Sequence, residues 1–151
     1  MFFVVRCIIV WIVWLIFADK TRWRELFPVG FFASLLGAIT DIMICSYPLW
    51  EYHAAGFDKH FIKLMDDLGI YIVVTYLFIQ YLPRKRTYGN MFCYWFFWTG
   101  LAITIEWIHI VTGHMHHHLW WNLKWSYGAD WFLFWLFYKY HQVFRFERLA
   151  H

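Results

Sequence analysis

Five apolar stretches, separated by short polar turns, constrain this chain more than any other feature. They run from about Phe2 to Ala18, Pro28 to Trp50, Leu68 to Leu82, Met91 to Gly113 and Ser126 to Phe144. A helical bilayer crossing takes about 20 predominantly apolar residues, because in hydrocarbon every backbone N–H and C=O must find its partner within the segment. The second and fourth stretches meet that length. The third is short and is expected to borrow a turn from the polar segment before it. Composition agrees: 62% of the 151 residues are hydrophobic and 15% charged, against about 25% charged in soluble domains. A single soluble core could not absorb 12 Trp, 10 Tyr and 17 Phe without leaving large apolar patches outside. The expected fold is all-α integral membrane, one transmembrane domain over residues 1–151, a bundle of about five transmembrane helices. In the alternative, four helices cross and an N-terminal helix lies in the interface.

The polar segments punctuate this pattern. Asp19 to Glu25 closes the first stretch, and its basic residues follow the apolar run with no Ala-x-Ala-like site, so a cleavable signal peptide is not expected. Glu51 to Asp67 reads as a mixed polar loop, or through Phe61, Ile62, Leu64 and Met65 as an amphipathic extension of the third helix. Pro83-Arg84-Lys85-Arg86-Thr87-Tyr88-Gly89-Asn90 combines a helix stopper, a basic cluster and a turn-forming pair. Cys7, Cys45 and Cys93 are odd in number and lie in apolar runs, which excludes a disulfide framework. A net charge of +3, scattered between apolar segments, gives no basis for nucleic-acid binding. The expected partner is the lipid bilayer.

Sidedness follows from the Lys/Arg bias of short loops. With the N-terminus outside, five crossings put Lys20, Arg22, Arg24, Arg84, Lys85, Arg86, Lys139, Arg145 and Arg148 inside, leaving Arg6, Lys59, Lys63 and Lys124 outside. The C-terminus is then cytoplasmic. In this orientation Asp66 and Asp67 open the third helix at the outer face, Glu106 and His109 end the fourth, and Asp130 opens the fifth, with Asp41 deeper in the second.

An ionisable residue within hydrocarbon costs several kcal/mol, about 2.5–3.5 on insertion scales, and is tolerated mainly at a bundle interior or a wet cavity. Glu106 and His109 are three residues apart and share a helix face with Ala102 and Gly113. Ser34, Gly37, Asp41 and Cys45 form a comparable small and polar stripe, and both stripes are expected to be interior seams. Glu106 and His109, with a third ligand from His114, His116 or Asp41, are candidate ligands of a divalent metal such as zinc. Asp67, Asp130 and Cys45 extend this polar pocket. Each feature also has a plainer role: the acids as hydrogen-bonded ties between helices, His114 to His118 as a solvated turn, and Trp120, Trp121, Trp125 and Trp131 as an interfacial belt. No nucleophile motif, phosphate loop or His-Glu-x-x-His is present, and a pair of axial haem ligands is hard to supply.

Trp23-Arg24 before Phe27-Pro28, Gly37 and Asp41, Tyr47-Pro48-Leu49-Trp50-Glu51-Tyr52, Asp67, and Tyr81-Leu82-Pro83 form an ordered set of short motifs. Glu106-Trp107, Gly113, His116-His117, Trp121-Asn122 and Trp125-Ser126 continue it. In these the chain resembles a family of small uncharacterised multi-pass membrane proteins of spore-forming Gram-positive bacteria. The resemblance implies a bacterial plasma-membrane helical bundle and supplies no catalytic residues. The functional expectation is a non-enzymatic protein with a polar, cation-binding pocket near the outer face. The alternatives are an integral-membrane metal-dependent enzyme and a structural or accessory protein without a ligand site.

Overall fold

The computed structural model describes residues 2–53 and 59–149. It is mostly helical, at 79%. Helix α1 spans Phe2–Phe17 and α2 spans Trp23–Ser46. Helix α3, Lys59–Met65, runs through a π-helical stretch, Asp66–Tyr71, into α4, Ile72–Gln80. Helices α5, Tyr88–Val111, and α6, Leu123–Val143, complete the bundle. The third rod does extend back into the polar segment, as its short apolar run requires. Residues 54–58 of that segment lie outside the described residues.

Two helical segments, Lys20–Ser46 and Tyr88–Val111, are long and apolar enough to cross a membrane, and Phe3–Phe17 is a shorter apolar helix. Their outward faces are apolar. Ile8, Ile12 and Ile16 on α1, Leu35, Ile39 and Ile42 on α2, and Phe92, Phe96 and Phe97 on α5 are all exposed.

Local chemistry sets the corners. The Asp19 carboxylate accepts from the Thr21 amide at 3.1 Å and its hydroxyl at 2.6 Å, which holds that carboxyl below its usual 3.8 and caps the turn into α2. Thr87 and Asn122 cap α5 and α6 by accepting from the Asn90 and Lys124 amides. Helix α2 stops at Ser46, short of the Trp50 end of its apolar stretch, because the residue before Pro48 is pushed out of helical geometry. The freed residues Trp50–Tyr52 form strand β1, which pairs antiparallel with β2, Met115–His117. Gly113 permits this: at φ +71° it turns the chain out of α5 in a conformation that favours glycine. The histidine-rich turn is thus half of a ribbon closing one end of the bundle, not a free loop.

Helix α4 is the centre of the packing. Val73, Thr75, Tyr76, Phe78 and Ile79 are buried on every side, against Leu26, Val29 and Ala33 of α2 and Phe134 and Phe137 of α6. At Gly30, α2 and α4 approach so closely that an added Cβ would lie 3.1 Å from the Ile72 carbonyl oxygen. Aromatic contacts join α6 and α5 to this unit: Phe78 lies 4.7 Å from Phe134 of α6 and 5.9 Å from Trp98 of α5, and Phe32 stacks on Tyr140 of α6 at 4.1 Å. The Tyr94 hydroxyl donates to the Phe78 carbonyl at 2.6 Å. These contacts hold the half of the bundle away from the ribbon. Towards the ribbon a cavity opens.

Candidate functional site

The cavity has a volume of about 370 Å³ and is walled by α1, α2, α4, α5 and α6 beneath the ribbon. Its charged residues, Arg6, Asp66, Glu106 and Asp130, lie towards the ribbon with His109, Ser126 and Tyr52 of β1, while Thr40, Tyr71 and Thr75 also line it. Burial pushes the Tyr52 hydroxyl well above the ordinary phenol range, so it stays neutral there. The deeper wall is mainly apolar and aromatic, with Trp98, Leu133, Phe134 and Phe137 beside Thr75.

Two hydrogen-bonded groups organise the polar part. Arg6 donates to Asp66 Oδ1 and to His109 Nε2, joining α1 to the π-helical stretch and to α5. His109 Nδ1 meets the Ile105 carbonyl at 2.6 Å. Arginine can only donate and a carbonyl only accept, so Nε2 is the acceptor, Nδ1 carries the proton, and the imidazole is neutral. Both of its nitrogens are therefore engaged, and no lone pair remains for a metal. In the second group Glu106 Oε1 accepts from Ser126 Oγ at 2.7 Å and from His117 Nε2 at 2.7 Å, and the Trp121 indole donates to Ser126 at 2.9 Å. Asp130 lies one turn below Ser126 on α6 and has no hydrogen bond or ion pair among the described residues.

The residues singled out from sequence divide between this cavity and its surroundings. Glu106, His109 and Asp130 line it together. Asp41 does not; it pairs with Lys63 of α3 at 3.5 Å, and Lys63 also reaches Cys45 Sγ at 3.9 Å. Asp67 is buried, 5% exposed, with Oδ1 unbonded and seated against Gly37. His114 meets the Thr112 hydroxyl at 2.9 Å, and His116 is exposed beside His53. Glu106, His109, His114, His116 and Asp41 therefore do not converge. Among the described residues no three His, Cys, Asp or Glu side chains are placed to hold a metal ion.

Sequence reasoning placed Asp66 with the polar residues of this end but gave no site role to Arg6, Ser126 or His117. Arg6 carried a usable signal, since a lone arginine inside an apolar run needs an acid or a wet cavity. It also missed a polar group at the opposite end. There Glu25, 1% exposed, accepts from Arg22 Nε and Nη2, each at 2.7 Å, and from His141 Nε2 at 2.9 Å. His141 Nδ1 is buried without a hydrogen bond, 3.8 Å from the Glu147 carboxylate. Comparison with family models, curated proteins and solved structures finds no match.

Proposed function

We propose that this is a non-enzymatic multi-pass membrane protein whose cavity, near the outer face, binds a cation. The observation that carries this reading is the charge balance of the cavity. Arg6 is spent on Asp66, whereas Glu106 is met by a hydroxyl and an imidazole and Asp130 by no hydrogen bond or ion pair among the described residues. A cation entering the cavity meets two carboxylates without a fixed positive partner, and at low dielectric that attraction exceeds its value in water.

The membrane setting rests on the two long apolar helices and on apolar residues along the outward faces of α1, α2 and α5. Five crossings, with the N-terminus outside and the C-terminus cytoplasmic, agree with the gathering of Lys20, Arg22, Arg24, Arg84, Lys85, Arg86, Arg145 and Arg148 at the end opposite the ribbon. The resemblance noted from sequence favours a bacterial plasma membrane. The rival is a structural protein, for which Arg6–Asp66 and Glu25–His141 would serve only as ties between helices.

Equilibrium binding separates the two. Purified protein in nanodiscs is titrated with methylammonium and with zinc ion while the fluorescence of the cavity-lining Trp50, Trp98 and Trp121 is followed. Saturable binding of a cation, lost in Glu106→Gln with Asp130→Asn, supports the reading. A response to neither cation, with the variants differing from wild type only in melting temperature, puts the structural protein in its place.

A further inference from the structure

The cavity changes character along its depth. On α6 the wall passes from Asp130 to Phe134 and Phe137, and on α5 from Glu106 down to Trp98. At 1.5 Å of rise per residue, these aromatic rings lie roughly 6–12 Å below the carboxylates. A hydrated metal ion has no use for such a floor, and water held against it would lack polar partners. The volume of about 370 Å³ falls at the lower end of the roughly 300–1,000 Å³ of small-molecule pockets.

Its walls also reach the flank of the bundle. Leu101 and Phe132 line the cavity yet are 41% and 58% exposed, and Thr40 of α2 likewise lines it and is exposed. Cavity and apolar outer surface therefore share residues on α2, α5 and α6. A molecule already dissolved in the bilayer would meet the cavity from the side.

We propose, resting on the cation-binding reading above, that the cavity takes an amphiphilic organic cation: an amine head against Glu106 and Asp130, and an apolar body of roughly 6–12 Å along Trp98, Phe134 and Phe137. The head forms charge-assisted hydrogen bonds to the carboxylates. The body replaces water on the aromatic wall, at about 25 cal/mol per Å² of apolar surface covered. Neither end alone uses the whole cavity.

The test is a ligand series on the full chain in zwitterionic nanodiscs, with empty nanodiscs subtracting simple partition. Octylamine, octanol, octanoate and methylammonium are titrated against tryptophan fluorescence and thermal unfolding. Octylamine is expected to saturate and to bind at least about tenfold more tightly than octanol or methylammonium, with octanoate weakest. Asp130→Asn should bring octylamine down to the level of octanol, and because the series runs on wild-type protein, a misfolded variant does not remove the test. Methylammonium binding as tightly as octylamine would overturn the amphiphile while leaving the cation reading in place. Equal binding of octylamine, octanol and octanoate, or saturation by none, would overturn the amphiphile, and together with no saturation by zinc ion or methylammonium it would overturn the cation reading as well.

Discussion

Replacing Glu25 with Leu removes the acceptor of three hydrogen bonds at a site that is 1% exposed. Removing one partner of a buried ion pair costs about 3–5 kcal/mol, because the other charge stays buried without compensation. Here the lower figure applies. The Arg22 side chain is 30% exposed and can turn to water, whereas His141, at 2%, has nowhere to go and is left with both ring nitrogens unbonded. For a chain of this size each kcal/mol shifts the melting temperature by about 2–4 °C, so the variant should melt roughly 6–12 °C below wild type. Thermal unfolding in nanodiscs, followed by circular dichroism, reads this directly. The companion is Glu25→Leu with His141→Phe, which exchanges the buried pair for apolar groups of comparable bulk and should recover part of the loss. Melting of Glu25→Leu together with wild type, or a double variant no better than the sum of its singles, would refute this account of the site.

Gly37→Ala should lower melting temperature and membrane yield by the equivalent of about 1–3 kcal/mol, since its Cβ would fall on the Asp67 carboxylate and 2.9 Å from the Tyr71 ring. Leu35→Phe, at a position 57% exposed on the same helix, should leave both unchanged. Arg6→Leu should destabilise by about 3–5 kcal/mol by stranding buried Asp66, and Asp66→Leu added to it should restore part of the loss in the same melt. The Asp19 carboxyl is held below 3.8 by Thr21; a depressed value means its contribution is complete above the unfolded value of about 3.9 and lost as pH falls through the lower, folded one. A pH series of the Thr21 amide chemical shift should therefore show the cap opening only below that range, and opening at neutral pH would refute it.

The helices were legible because their signal is local. Apolar runs, Pro83 and the Asp19 turn each lie within a few residues of what they determine. The partners of the polar residues were not, because they come from far along the chain: Arg6 meets His109 across 103 positions, and Glu25 meets His141 across 116. Helical spacing reports which residues share a face and says nothing of what faces them. Thus Glu106 and His109 do line one cavity, yet Glu106 Oε1 meets Ser126 and His117 and His109 Nε2 meets Arg6, partners that spacing within α5 could not supply. The stripe on α2 failed for a geometric reason. At about 100° per residue, two successive four-residue steps drift about 80° around the helix; accordingly Ser34 and Gly37 are buried, Asp41 is half-buried against Lys63, and Cys45 is exposed. The ribbon was hidden differently, since three residues per strand are too few for an alternating pattern to emerge from sequence.

Each end of the bundle joins an arginine, an acid and a histidine, arranged in opposite orders. Near the ribbon the arginine is central: Arg6 donates to both Asp66 and His109, so the histidine accepts and is neutral. At the other end the acid is central: Glu25 accepts from both Arg22 and His141, so the histidine donates. A proton added to His109 would take the lone pair that Arg6 uses and set two cations in contact. His141 lies between two carboxylates, Glu25 at 2.9 Å and Glu147 at 3.8 Å. The Glu25 group is a tie in the packed half of the bundle. The Arg6 group holds only while His109 is neutral, and it stands in the wall of the cavity. Of the two, the ribbon-end group is the one whose hydrogen bonds require a neutral histidine and whose members line the cavity.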